Sequence, residues 1–392
     1  MVSIGSGLRV LCAAVALPVL VSACSTAADQ EAPHPEMAAT AVPQAPVLVP
    51  PPACGQGPEL LSQISTRDKL AQLLMVGVTD AADARAVVES QHVGGIMIGS
   101  WTDLSMVTDG SLIDIANSAA PLPLAVSVDE EGGRVSRLSS IIGTQPPARV
   151  LAQTQTPEQV YAVALQRGQA MRSKGITIDF APVVDISNAP DDTVIGDRSF
   201  GSDPAVVTDY AGAYARGLRD AGMLPVLKHF PGHGNGSGDS HTGSVTTPPI
   251  GDLQNADLVP YRTLNAQLPV GVMVGHMQVP GLTGNEPASL SPSAYALLRS
   301  GDYGGPPFNG PVFTDDLSSM QAISDRFGVA EAALRGLQAG ADTALWVTTG
   351  EVPAVLDRLE QAVSAGELSM PQVDGSLLRM AAVKGPHQRC GN

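Results

Sequence analysis

Leu224-Pro225-Val226-Leu227-Lys228-His229-Phe230-Pro231-Gly232-His233-Gly234-Asn235-Gly236-Ser237-Gly238-Asp239-Ser240-His241 joins an apolar run to a charged loop framed by glycines. A continuous apolar run marks a strand buried on both faces, as in a parallel sheet covered by helices. Lys228 and His229 close the run, and the carboxyl ends of strands are where a parallel barrel gathers its site. Seven more runs have this character, at 73–78, 95–99, 122–128, 176–184, 270–275, 312–314 and 343–347. Helical patterns lie between them, among them 157–173 after Thr156 as N-cap, 204–221, 257–266, 292–299, 329–338 and 352–365. Eight apolar strands alternating with helices predict an α/β chain closed as a single (β/α)8 TIM-type barrel, with a doubly wound open sheet as the alternative.

Polar residues collect at the ends of these runs. Asp129-Glu130-Glu131-Gly132-Gly133-Arg134 follows the third, Asp185 the fourth, Lys228-His229 ends the fifth, His276 the sixth, and Asp315-Asp316 the seventh. Charges there are costly unless a site uses them. Composition narrows the site further. The 392 residues carry 38 Asp+Glu against 22 Lys+Arg, a net charge of −16. Such a balance argues against nucleic acid as a partner. Only four residues are Lys, which makes Lys228 beside His229 conspicuous.

The ends of the chain speak to location. Arg9 precedes an apolar run at 10–21, shorter than the roughly 20 residues needed to span a bilayer, so 1–23 reads as a signal peptide. Leu20-Val21-Ser22-Ala23-Cys24 resembles the bacterial lipobox, which predicts an acylated Cys24 as the mature N-terminus. Ordinary cleavage after Ala23 would give a secreted protein instead. Residues 24–56 are Pro- and Ala-rich without period and read as a disordered linker. A catalytic domain is expected over 57–386 and a tail over 387–392. Cys54 and Cys390 flank that domain, and in an exported protein they form a candidate disulfide; the alternative is two free thiols.

Within the glycine loop Asp239 stands two residues before His241, so the carboxylate can orient the imidazole and raise its basicity. The loop's four glycines suit a segment that closes over a substrate. A metal loop, His233-x7-His241, is the other reading; without a Cys/His cluster or helical spacing it is not favoured, and neither metal nor cofactor is expected. Asp315, after the apolar run at 312–314, supplies a carboxylate able to attack, while Asp316 suits a helix cap. With the His loop as proton donor, these are the two parts of a displacement. Arg134 and Arg137 read as a grip on sugar hydroxyls and carbonyls, and Arg198 as a further donor.

Four motifs in order, Asp-x-Glu-Gly-Gly-Arg-Val-x-Arg at 129–137, Ile-Gly-Asp-Arg-Ser-Phe at 195–200, Lys-His-Phe-Pro-Gly-His-Gly with Asp-Ser-His at 228–241, and Thr-Asp-Asp-Leu-Ser at 314–318, resemble the bacterial β-N-acetylglucosaminidase branch of family 3 glycoside hydrolases. The resemblance covers about 65–345 and extends to envelope lipoproteins of actinobacteria. It implies a retaining exo-β-N-acetylglucosaminidase acting on peptidoglycan or muropeptide fragments through a covalent glycosyl-enzyme. Asp315 would be the nucleophile, His241 the acid and then base, and Asp239 its partner. Asp129, Arg137, Arg198, Lys228 and His229 would bind the N-acetylglucosamine ring. The implied partners are that glycan and, through the lipid anchor, the outer face of the cytoplasmic membrane, for a monomer.

The family also contains phosphorylases with this His loop, since a neutral base lets phosphate approach the intermediate. For an enzyme outside the membrane, hydrolysis is the expected outcome. A reading of another class is a non-catalytic lipoprotein that only binds amino sugars, for which a nucleophile and a proton shuttle would be superfluous. Two departures stand out. The stretch 297–311 is longer than the family's usual lead-in and has Gly301 where an acid is common. No strand-rich segment suited to the larger relatives' sandwich domain follows residue 347.

Overall fold

A computed structural model describes Gly55, residues 57–267 and residues 269–384. The signal peptide, Cys24, the linker apart from Gly55, Cys54 and the tail with Cys390 lie outside the described residues. Among the described residues no helix is long and apolar enough to cross a membrane.

Eight parallel strands alternate with helices. The strands are β1 (Leu74–Val78), β2 (Gly95–Ile98), β3 (Ala125–Val128), β4 (Ile178–Asp179), β5 (Leu224–Phe230), β6 (Gly271–Val274), β7 (Val312–Thr314) and β8 (Ala344–Trp346). The principal helices are α1 (Ala81–Gln91), α2 (Ser111–Ser118), α3 (Pro157–Arg172), α4 (Pro204–Asp220), α5 (Leu258–Gln267), α6 (Pro292–Ser300), α7 (Val329–Ala339) and α8 (Val352–Ser364), with α9 (Met370–Lys384) added at the end. Neighbouring strands pair in register around the ring, Leu74 opposite Ala344 and Val312 opposite Val272. The remaining gap, between β7 and β8, is bridged by Phe313 and Thr343, with Thr314 N donating to Thr343 O at 3.0 Å. The sheet is therefore closed as a (β/α)8 barrel, and the open doubly wound alternative is excluded.

Helix boundaries follow from capping. Thr156 and Gln159 form a capping box at α3, and Asp80 accepts from Ala82 and Asp83 N at the start of α1; each such cap stabilises by about 1 kcal/mol. Proline occupies the first turn of α3, α4, α6 and α8, where its missing N–H leaves no bond unmade.

Two cores result. Inside the barrel, Met75, Met97, Ile178, Phe180, Val226, Met273, Phe313 and Leu345 pack together, and Met380 from α9 joins them. Phe180 and Phe313 meet edge to face at 5.5 Å. Outside, the strands' other faces pack against the helices, as with Val76, Ile96, Val126 and Val274. Burial on both faces accounts for the unbroken apolar runs in the sequence.

Three runs differ from their sequence-based bounds by more than one residue at an end. The run at 176–184 is strand over Ile178–Asp179 and then only a bridge from Val183 to Lys228, because Pro182 has no N–H for the ladder. Pro123 similarly confines β3 to 125–128. β5 runs two residues past Lys228, since neighbouring carboxylates neutralise that charge inside the sheet.

Candidate active site

The carboxyl ends of the strands open into a cleft of about 880 Å³, part of it shared with solvent. Of the residues assigned above to catalysis or sugar binding, all but Arg134 and Asp239 line it: Asp129, Arg137, Arg198, Lys228, His229, His241 and Asp315. Asp239 sits behind His241.

The cleft floor is a chain of ion pairs. Lys228 Nζ lies 2.6 Å from both Asp129 Oδ1 and Glu131 Oε1. Glu131 in turn takes two bonds from Arg198, Nε at 2.8 Å and Nη2 at 2.9 Å. Burial opposes the charge on Glu131, but Arg198 and Lys228 outweigh it and hold the carboxyl far below the usual range. Burial likewise opposes the Lys228 ammonium, and Asp129 and Glu131 raise it above its ordinary value. The Arg198 fork also brings Nη2 to 3.5 Å from His229 Nε2. Such two-pronged pairing fixes each donor's direction as well as its charge.

Asp185, just beyond β4, organises the start of the His loop. Its carboxylate accepts from His229 N at 3.2 Å and His233 N at 2.7 Å, and lies 2.7 Å from His229 Nδ1. Burial would raise its pKa, but His229 keeps it low. The peptide bonds Lys228–His229 and Phe230–Pro231 are both cis. His233 is buried, which lowers its pKa and favours the neutral ring; its Nε2 lies 3.3 Å from Ser240 Oγ. Among the described residues no group of three potential metal ligands occurs.

Asp315 follows β7, its amide donating to Val274 O at 3.0 Å. Burial works against its ionisation, yet His276, His229, the Asp316 amide and Lys228 prevail and hold its pKa at about 2. His276 is itself buried and inclined to the neutral form; it bridges Ser289 Oγ and Asp316 O, each at 2.7 Å, and so fixes the turn that carries Asp315. The Asp316 side chain is consumed as a cap. It accepts from Ser318 N and Oγ at 2.8 Å, from Ser319 N at 3.1 Å and from Ser319 Oγ.

Asp239 and His241 form a pair at the rim: Asp239 Oδ1 accepts from His241 N at 2.9 Å and lies 2.7 Å from Nδ1. The imidazole is exposed, with its side chain 58% accessible. The backbone around it is tied across the mouth to the segment after β7, as Gln321 N donates to His241 O at 3.3 Å and Ala322 N to Ser240 O at 3.2 Å.

Arg137 and Arg134, read together in the sequence, part company. Arg137 lines the cleft, and its guanidinium has no hydrogen-bond or ion-pair partner among the described residues. Arg134 is not in the cleft. It pairs with Asp197 at 2.9 Å and donates to the carbonyls of Thr193, Val194 and Ile195, clamping the loop that presents Arg198. Of the two arginines, Arg137 alone is placed where it could reach a ligand in the cleft.

Three residues central to this geometry carried no role in the sequence reading: Glu131, Asp185 and His276. A signal for Glu131 was available. In an extended segment Asp129 and Glu131 share a face while Glu130 points away, and Glu130 does turn back to a buried pair with Arg167 and to Arg137 N at 2.8 Å.

The glycosyl hydrolase family 3 N-terminal domain matches residues 65–383. Over 386 residues the chain is 66% identical to the β-hexosaminidase LpqI of Mycobacterium tuberculosis, spanning 98% of this chain and 99% of that protein. The solved structure of M. tuberculosis LpqI superposes with a TM-score of 0.85 at 70% identity, over 86% of this chain and 98% of the other. A family 3 β-N-acetylglucosaminidase from Paenibacillus matches with a TM-score of 0.77 at 34% identity, covering 83% of this chain and 63% of that one. The chain belongs to glycoside hydrolase family 3, and its activity is that of a β-hexosaminidase.

Proposed function

We propose that the enzyme is a retaining exo-β-N-acetylglucosaminidase that removes terminal β-linked N-acetylglucosamine from peptidoglycan or muropeptide fragments. Asp315 attacks the anomeric carbon while His241 gives its proton to the departing glycosidic oxygen. The bond to the leaving group breaks as a covalent glycosyl-aspartate forms. His241, now neutral, takes a proton from water, whose oxygen displaces Asp315 and releases the free sugar. Asp129, Arg137, Arg198, Lys228 and His229 hold the ring, and Asp239 orients His241. The observation that supports this reading is the tie between the Asp239–His241 loop and the segment that follows Asp315, with His241 and the ionised Asp315 lining one cleft. We further propose that the protein is a monomer tethered through acylated Cys24 to the outer face of the cytoplasmic membrane.

Release of p-nitrophenol from its β-N-acetylglucosaminide tests the chemistry. Asp315→Ala should cost about 10³-fold or more in kcat; unchanged turnover would remove Asp315 from the mechanism, and no turnover by the wild type would favour a binding protein. Repeating the assay in phosphate separates the acceptors: N-acetylglucosamine is the expected product, and accumulation of its 1-phosphate would assign a phosphorylase. Cys24→Ala should move the protein from the membrane fraction to the soluble one.

A further inference from the structure

Among the described residues Trp101 is the one exposed Trp, Tyr or Phe, at 42%. It lies on the loop after β2 and lines the same cleft as Asp315. Its position is built into the backbone beneath it. A Cβ at Gly99 would come within 2.3 Å of the Trp101 ring, and one at Gly77 in β1 within 2.7 Å of it. Glycine at both strand ends thus makes a notch that only a flat ring fills. The indole N–H has no partner among the described residues. An indole resting on backbone with a bare face and an unused donor suits a ring ligand with an apolar face and a polar rim.

Depth decides which ring. The groups proposed to seat the terminal sugar are nearly closed off, with the side chains of Lys228 at 3%, Glu131 at 4% and Arg198 at 11% exposure. Trp101, like His241, is an exposed member of the cleft lining. A pocket entered by the chain end receives the terminal sugar at its floor and leaves the departing group at its mouth. We infer that Trp101 is the platform for the first sugar of the leaving group, stacking against the C–H face of a second pyranose ring. This rests on the reading above that the Lys228–Glu131–Arg198 floor holds the terminal sugar. Trp101 then selects for substrates in which the group beyond the cleaved bond is itself a sugar.

Two substrates sharing the terminal ring isolate the effect: N,N′-diacetylchitobiose, whose leaving group is a pyranose, and methyl β-N-acetylglucosaminide, whose leaving group has no ring. Trp101→Ala should lower kcat/KM for the disaccharide by roughly tenfold, the scale of losing one aromatic anchor, with the methyl glycoside and inhibition by free N-acetylglucosamine unchanged. Trp101→Phe should restore most of the loss. Equal losses on both substrates, or none on either, would overturn the inference. A binding measurement keeps the platform separate from the proposed nucleophile. The chain has two Trp, and Trp346 is fully buried, so Trp101 is the indole able to report on the mouth. In Asp315→Asn, the disaccharide should change tryptophan emission and free N-acetylglucosamine should not. Normal hydrolysis by that variant would refute the nucleophile alone, whereas equal emission responses to both sugars, or no response to the disaccharide, would refute the platform alone.

Discussion

Asp315 and His241 occupy opposite electrostatic settings, and their variants should diverge accordingly. His241 is a solvent-facing imidazole held by one carboxylate, and its proposed proton matters most when the leaving oxygen is a poor one. His241→Ala should therefore reduce kcat/KM on sugar-linked substrates by about 10²–10⁴-fold, and on aryl glycosides with good leaving groups by less than about tenfold. Equal losses in the two series would argue against an acid role. Asp315 keeps its charge down to about pH 2, while in the unfolded chain an aspartate takes up its proton near pH 4. Its ionisation favours the folded state at neutral pH, and that contribution is lost as pH falls toward 2. The acid limb of kcat/KM should consequently lie above the range where Asp315 titrates. A limb near pH 4 abolished by Asp315 substitution alone would contradict this assignment. Both residues stood out as candidates in short motifs, because loop glycines and strand-end acids are unusual. The partners that set their electrostatics were not readable: Asp185 lies 44 residues before His229 and Glu131 lies 67 before Arg198 in the chain, and only closure of the barrel brings them together.

Individual elements show the same division. Each apolar run proved to be a strand because the pattern reflects burial on both faces, a local property. Its length did not follow so simply, since Pro182 interrupts one run and a neutralised Lys228 lengthens another. A cost hidden from sequence sits where α5 begins. Asp257 precedes Leu258 and is buried, its Oδ1 without a partner among the described residues. Burial, with Asp185 nearby, pushes its pKa up to about 7. A carboxyl raised in the folded state costs nothing below the unfolded value near 4, and its cost grows as pH rises from there through 7. Asp257→Asn should stabilise the protein at pH 8 by a few kcal/mol, an order-of-magnitude figure from that shift, with little effect at pH 4. Thermal melts at the two pH values provide the check; a gain that is the same at both would exclude titration of Asp257 as the cause.

For the whole molecule, closure of the ring is the decisive event, and one buried acid fastens it on the side opposite the cleft. Asp342, just ahead of β8, is fully buried. It accepts from Val312 N at 2.9 Å at the start of β7, from Arg299 of α6 at 2.7 Å and from Arg379 of α9 at 2.8 Å. Removing it would leave two arginines facing each other with no anion between them. Asp342→Ala should destabilise by about 3 kcal/mol, visible as a lower denaturation midpoint, while KM for aryl glycosides stays unchanged in the remaining folded enzyme. The closed ring was legible from the count of strands, but this fastening was not, because Asp342 meets residues from three separate elements.

The ion-paired cleft floor has a thermodynamic corollary. Lys228 and Arg198 are matched one for one by Asp129 and Glu131, so an uncharged sugar arriving there displaces no bound counterions, despite the net charge of −16 on the chain. Screening by salt acts over about 10 Å at 0.1 M and weakens exposed pairs far more than buried ones. KM for an uncharged glycoside should hold steady from dilute buffer to several tenths molar sodium chloride. The enzyme would then work at a constant affinity while the ionic composition around it varies.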